Sequence, residues 1–444
     1  SWSCTWKRAP TAGLWKSRLY DGNIKALKFK MRTILHSDLN NFYASVECLR
    51  NPEIRDKPVV VVGSKEDRHG IVLAKNLIAK RAGVATGDVW WEAQRKCGPE
   101  LVEVKADFAA YLDVSRAVRR IYEDYTDKIE AFGIDECWLD VTESGKQAGG
   151  EEIAHALRRR IKKELGLTVS IGVSWNKVFA KLGSDMNKPD AVTVISPDNF
   201  RQTVWTLPAE ELLYVGRATK GKLNRMGIFT IGELANSDRG ALKHRLGKWG
   251  EWLHDFANGK DSSRVVKTSE EQNVKSIGNS LTVWRDLKNR EEVSMVIFML
   301  ADSVAARMRE SGLFLARTAH IFARGSDLNS FHKQGKLPRP TGAANEIARA
   351  ALNLFDRVYD WETPVRGLGV SVSDFHFGGV QTDMFSDCVK ADRQKRLDEA
   401  VDKIRKKYGN KIIQLAVVHK EPKLKELDIT GEHVIHPYSF FRHD

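Results

Sequence analysis

Short apolar segments that run directly into carboxylates constrain this chain most. Thr33-Ile34-Leu35-His36 leads into Asp38 and reads as a buried strand ending in an acid. Ile129 to Ala131 and Trp138 to Val141 flank Asp135-Glu136, which reads as a β-hairpin with an acidic pair at its bend. A carboxylate beside buried β-structure is costly unless something neutralises it. Two or three of them converging at strand ends suit a hard divalent cation such as Mg²⁺, which is held by one or two carboxylates together with substrate phosphates. Each acid taken singly fits a solvated turn about as well; the three together do not.

The remaining pattern is mixed α and β. Helices are expected at 42–50, 76–82, 88–97, 108–127, 151–165 and 176–187, the last stopped by Pro189. The 108–127 segment carries Tyr111, Val114, Val118, Ile121 and Tyr125 at helical spacing. Strands are expected at 58–63, 70–74, 168–173 and 191–195. From Pro208 onward, short helices are separated by glycines, and a polar stretch over 262–275 reads as a linker. Beyond it, strand 277–285, helix 291–311, strands 314–324 and 328–334, helix 342–359 and strand 366–375 give a βαββαβ module. Gly378-Gly379 then opens a tail with one charged helix near 389–408. The fold class is α+β with several domains, as 444 residues also imply.

Charge is unevenly spread. The net +13 contains +6 from residues 1–30, while 31–197 hold 25 residues of each sign and are neutral. The remaining positive charge lies in the C-terminal half, which points weakly to a polyanion. Residues 1–30 carry Trp2, Trp6 and Trp15 without period and lack the apolar run of a secretory signal, so they read as an extension outside the fold. No run of about 18 apolar residues is present to form a transmembrane helix. The five cysteines are scattered, with no zinc-type grouping, which fits a reducing, cytoplasmic compartment.

Three motifs carry a resemblance. His36-Ser37-Asp38-Leu39-Asn40-Asn41-Phe42-Tyr43-Ala44-Ser45-Val46-Glu47 is similar to the first motif of the Y-family, translesion DNA polymerases, and the segment Ile129 to Asp140 around Asp135-Glu136 to the second. Ser170-Ile171-Gly172-Val173-Ser174, with Asn176-Lys177 and Asp185 to Pro189, resembles the third. The likeness runs from about 32 to 378 and is strongest to the bacterial DNA polymerase IV type. It implies a right-hand polymerase: palm (31–41 and 106–197), fingers (42–105), a small helical thumb (198–268), a linker (269–275), a little finger (276–378) and a tail (379–444). It also implies that Asp38, Asp135, Glu136 and the Leu39 carbonyl hold two Mg²⁺ ions, one activating the primer 3′-hydroxyl and the other clamping the triphosphate. The partners implied are primer-template DNA and deoxynucleoside triphosphates, and the protein is expected to act as a monomer without a membrane.

Tyr43 falls where the family keeps a steric gate against the 2′-hydroxyl, although a lone tyrosine is more often a core aromatic. Phe42, Lys80 and Lys188 fall at triphosphate-binding positions. Family members carry Tyr and Arg three apart on the fingers helix; here these positions are Leu77 and Lys80, so a hydroxyl donor and a bidentate fork are lost and nucleotide binding is expected to be weaker. Asn40 replaces an acid common in relatives. Val215-Gly216-Arg217-Ala218-Thr219 with Lys220 resembles the thumb's helix-hairpin-helix, in which a helix N-terminus meets a DNA phosphate. Arg285, Arg317 and Arg324 are the candidate duplex contacts of the little finger. Gln381-Thr382-Asp383-Met384-Phe385 resembles the bacterial sliding-clamp peptide, with Gln381, Met384 and Phe385 as its fixed positions. Two other readings are a degenerate scaffold that binds DNA and clamp, and a nucleotidyl cyclase. Retention of all three acids speaks against the first, and the thumb, little finger and clamp peptide against the second.

Overall fold

The computed structural model describes residues 31–63, 70–145, 149–270, 274–313, 315–376 and 388–426. The expected N-terminal extension and the clamp peptide lie outside the described residues. The first half runs, in chain order, β1 (Ile34–Leu39), α1 (Phe42–Arg50), β2 (Val59–Val62), β3 (Val72–Lys75), α2 (Leu77–Arg81), α3 (Trp90–Cys97), β4 (Val102–Lys105), α4 (Phe108–Glu123), β5 (Ile129–Ala131), β6 (Glu136–Asp140), α5 (Gly150–Leu165), β7 (Val169–Ser174), α6 (Lys177–Met186) and β8 (Val192–Val194). Helix α4 stops four residues short of the expected end, and Tyr125 lies in the turn that follows it. Strand β4 was not anticipated. It pairs parallel with β2, which itself pairs with β3, making a three-stranded sheet.

The five-stranded sheet has the order β5-β6-β1-β7-β8, with β1 at its centre and all six of its residues buried. Alternation along β1 sends Leu35, Ser37 and Leu39 to one face and Ile34, His36 and Asp38 to the other. The first face meets α4 and α5: Leu35 and Leu39 join one core with Tyr122 and Leu157, and Ser37 shares a 2.7 Å hydrogen bond with the Tyr122 hydroxyl. On the second face Ile34 packs with Trp138 and with Ala180 of α6. Helix α6 lies unusually close to β7, because a Cβ at Gly172 would come within 1.9 Å of the Ala180 carbonyl. Glycine is therefore required at that position, and the close approach brings α6 side chains over the end of β1.

Five short helices follow: α7 (Phe200–Thr203), α8 (Arg217–Asn224), α9 (Ile231–Asn236), α10 (Arg239–Leu246) and α11 (Lys248–Ala257). They enclose a separate core around Leu223, Ile231, Leu234, Leu242 and Leu253. Thr230 and Glu233 form a capping box that starts α9. The polar stretch read as a linker is laced to the first sheet over its first residues. Arg32 donates to the carbonyls of Asp261 and Ser263, Val266 N–H donates to Glu130 Oε2 at 3.0 Å, and Val265 is buried beside Ile34 and Trp138. Polarity along the sequence concealed this because most of the contacts are made by backbone groups.

The last module is β9 (Ser276–Leu287), α12 (Arg290–Glu310), β10 (Leu315–Gly325), β11 (Ser330–Thr341), α13 (Ala344–Phe355) and β12 (Val365–His376), with sheet order β11-β10-β12-β9. This is the expected βαββαβ order. Both helices cover one face, where Ile321, Val370, Leu300 and Phe355 share a core. The described part of the tail, residues 388–426, packs onto this module. Helix α14 (Cys388–Tyr408) pairs Asp402 with Arg309 of α12 at 2.6 Å, and beyond it Val418 and Leu424, the latter in α15 (Pro422–Glu426), enter the same core.

Candidate active site

Strand register assembles the acids. In the antiparallel pairing of β1 with β6, Asp38 lies opposite Glu136, so both carboxylates stand side by side on one face. Leu39 N–H donates to the Asp135 carbonyl at 3.1 Å, which ties the loop before β6 to the end of β1. The three acids Asp38, Asp135 and Glu136 thus lie close together at the end of β1.

The electrostatics are those of crowded, partly dried acids. Asp38 is 4% exposed, and burial and the neighbouring Glu136 raise its pKa, while Lys181 and Lys188 oppose the rise. Burial, then Glu136 and Asp38, push Asp135 up to about 7. Two ammonium groups lie among these acids. Lys181 Nζ is 3.1 Å from Asp38 Oδ2, 3.2 Å from Glu136 Oε2 and 3.2 Å from Asp185 Oδ2. Lys188 Nζ is 2.7 Å from Asp38 Oδ2 and 2.8 Å from Asp185 Oδ1. Burial works to raise Asp185, but Lys181 and Lys188 outweigh it and hold its carboxyl below the ordinary value. Behind the acids, His36 is fully buried; desolvation, with Lys181 nearby, keeps its pKa well below the ordinary value. Its Nδ1 is 2.9 Å from Ser184 Oγ and its Nε2 is 3.5 Å from Glu136 Oε2.

The donor set fits a divalent cation. It consists of hard carboxylate oxygens, and Glu136 Oε2 is buried without a well-formed hydrogen bond. The protein alone does not close a cage: among the described residues no three acid, histidine or cysteine side chains stand in metal-ligating geometry. Asn40 is not a ligand replacement. It is buried, its amide donates to Ser170 Oγ at 2.9 Å, and its Oδ1 accepts from Asp190 N–H at 2.8 Å, which pins the segment after Lys188 to β1.

Tyr43 is half-buried and stacks on Tyr111 at 4.5 Å between ring centroids and 13° between planes. Burial, with Asp135 as the second cause, raises its pKa to about 12. Tyr111 is itself fixed by donating to Glu47 Oε1 at 2.7 Å. The Phe42 ring is buried, leaving its backbone N–H at the start of α1 as the group able to meet a phosphate. On α2, Leu77 is half-buried and Lys80 is exposed.

Residues 37–185 match the impB/mucB/samB family, and residues 274–384 match that family's C-terminal domain. Residues 210–261 match the thumb domain of DNA polymerase-iota. The DNA polymerase IV of Acetivibrio thermocellus is 53% identical over 381 residues, covering 85% of this chain and 95% of that protein. The chain belongs to the Y-family DNA polymerases. Within that family it falls with the DNA polymerase IV group: the Clostridium acetobutylicum DNA polymerase IV is 35% identical over 401 residues, covering 88% of this chain and all of the relative. A solved Y-family polymerase chimera superposes with a TM-score of 0.68 at 25% identity, over 78% of this chain and all of that one. The polymerase is therefore template-directed and of the translesion class, acting on DNA and deoxynucleoside triphosphates with a divalent metal. Neither the cyclase reading nor the degenerate-scaffold reading is favoured. Among the described residues no helix is long and apolar enough to cross a membrane.

The candidate DNA contacts separate. Gly216 caps α8 without a side-chain acceptor, and Arg217 is exposed in its first turn. Lys220 pairs with Glu210. Arg317 and Arg324 are exposed on β10, within hydrogen-bond reach of His376 and Ser330 respectively. Arg285 lies between Glu292 at 3.0 Å and Glu421 at 2.9 Å, the latter supplied by the tail that packs onto the module. The sequence reading placed Asp185 in the third motif without a role and passed over Lys181. Their signal was the spacing 181, 185, 188, which puts a cation, an acid and a cation on one side of a helix and its end.

Proposed function

We propose that Asp38, Asp135 and Glu136, with the Leu39 carbonyl, hold two Mg²⁺ ions and are the catalytic centre of nucleotidyl transfer. The observation that carries this reading is the β1–β6 register, which sets Asp38 opposite Glu136 beside the loop of Asp135. Bound at such a set, divalent ions supply Lewis-acid activation of the primer 3′-hydroxyl and neutralise the leaving pyrophosphate. The chain's own residues do the positioning. Lys188 is the mobile cation for the triphosphate: it has two carboxylate partners and a 29% exposed side chain, so it can exchange a carboxylate for a phosphate. The free N–H groups at Phe42 and the start of α1 take a second phosphate, and Lys80 adds charge from α2. Tyr43, stiffened by Tyr111, lies beneath the sugar and excludes a 2′-hydroxyl.

In this reading the β1-centred sheet is the palm (31–41 and 106–197), the β2-centred sheet the fingers (42–105), α7–α11 and the segment to 268 the thumb, and 276–378 the little finger, joined by 269–275. Duplex DNA is held by Gly216, Arg217 and Lys220 of the thumb and by the helix-free face of the little-finger sheet. Register gathers Arg324, Phe322 and His320 there with Gly367, Gly369 and Ser371. Gly367, Gly369 and Ser371 leave that face open to close backbone approach beside Arg324, which suits a phosphate backbone and is indifferent to sequence. Arg317 belongs with it, and Arg285 would have to exchange Glu292 and Glu421 for phosphate to join it. Gln381, Met384 and Phe385 engage a bacterial sliding clamp, a reading supported by their spacing, and the protein works as a cytoplasmic monomer. Primer extension with Mg²⁺ as the only divalent ion tests the centre: the parent extends, and folded Asp135→Ala and Glu136→Ala variants do not. Extension by either variant at the parental rate would remove that carboxylate from the mechanism.

A further inference from the structure

Lys181 stands apart from the other cations of the site. Its side chain is 13% exposed, against 29% for Lys188, and its ammonium faces three carboxylates at 3.1–3.2 Å. It donates hydrogen bonds to Asp38 and Asp185, and the Glu136 carboxylate completes a shell of negative charge around it. Its place is imposed by the fold. Gly172 lets α6 lie against β7, and the fully buried Trp138–Ala180 contact on the same helix prevents it from tilting away. Two of its three partners, Asp38 and Glu136, come from different strands. A buried ammonium is tolerated only when opposite charge surrounds it, and here that charge is the proposed metal-binding set itself.

We infer that Lys181 is a positioning residue that fixes Asp38 and Glu136 together and, as a permanent positive charge beside them, weakens divalent-metal binding until a triphosphate arrives. The inference rests on the reading of these carboxylates as metal ligands. A fixed charge in van der Waals contact with ligand oxygens repels a dication, and the anionic triphosphate offsets that repulsion. Metal loading is thereby coupled to nucleotide binding, and two lysines seven residues apart divide the work: Lys188 leaves Asp38 for the phosphates, and Lys181 stays.

The test is Mn²⁺ binding to the full chain without nucleotide, followed by electron paramagnetic resonance. Lys181→Met should bind Mn²⁺ about tenfold more tightly or better than the parent, whereas Lys181→Arg, which keeps the charge, should stay within about twofold of it. A role confined to holding α6 in place would lower the melting temperature of Lys181→Met without tightening Mn²⁺. A folded Lys181→Met with parental or weaker Mn²⁺ affinity overturns the inference. If that variant does not fold, Lys181→Gln, which can still donate to the carboxylates, is read by the same criterion. Asp38→Asn and Glu136→Gln separate the two levels. If they abolish Mn²⁺ binding while Lys181→Met leaves it unchanged, the metal centre stands and the inference falls. If they leave Mn²⁺ binding intact, the metal centre itself is misassigned.

Discussion

Replacing Asp135 with Asn should make the protein more stable and, at the same time, inactive. Desolvation, Glu136 and Asp38 together carry the Asp135 carboxyl from an ordinary value of 3.8 to about 7. A group whose folded pKa lies above its unfolded one favours folding while it is protonated, and that contribution is lost as pH rises through the folded value. Below about pH 4 the carboxyl is protonated in both states and Asn gains nothing; above about pH 7 the folded protein must carry the charge. With solvent screening allowed for, the penalty there is roughly 1–3 kcal/mol. Urea unfolding in the presence of a chelator, at about pH 8 and again toward about pH 4, measures it. The Asn variant should unfold at higher urea at the higher pH, and its advantage should shrink steadily on acidification. An advantage that is absent at about pH 8, or that does not depend on pH, would refute the claim that this carboxylate is held in an electrostatically unfavourable place.

Other expectations follow from the same geometry. Gly172→Ala drives a methyl into the Ala180 carbonyl and the Ser184 N–H, so thermal or urea unfolding should show a loss of about 3 kcal/mol or more. Tyr43→Ala removes the ring stacked on Tyr111 and should raise the ribonucleotide-to-deoxyribonucleotide incorporation ratio by about tenfold or more; an unchanged ratio would return Tyr43 to the status of a packing residue. Leu77→Tyr restores a hydroxyl at the start of α2 and should lower KM for the incoming nucleotide; a KM no lower than the parent's would count against any role of that position in triphosphate binding.

How far the sequence spoke for itself depended on the kind of interaction. The short apolar run leading from Ile34 into Asp38, and the apolar stripe from Tyr111 to Ile121, identified β1 and α4 because burial leaves a mark on the local sequence. The acids were legible because charges at the ends of apolar strands are rare enough to need a reason. Strand β4 was passed over: Val102-Glu103-Val104-Lys105 alternates, but it is short and its parallel partner β2 lies some 40 residues earlier in the chain. The pairing of Arg285 with Glu421 was not anticipated because the two lie 136 residues apart, and no local pattern announces such a pair. Lys181 was missed for a different reason. A lysine on a helix ordinarily faces water, and only the close approach allowed by Gly172 turns this one inward.

The central claim is that nucleotidyl transfer depends on the acids brought together by the β1–β6 register. Its most direct test is single-turnover incorporation of one nucleotide on a preformed primer-template complex, with saturating triphosphate and Mg²⁺, comparing the parent with Glu136→Gln. Glutamine keeps the shape and removes the charge, so DNA affinity should be unchanged while the incorporation rate falls by about a hundredfold or more. A rate within a few-fold of the parent, with the variant folded and bound to DNA, would contradict it.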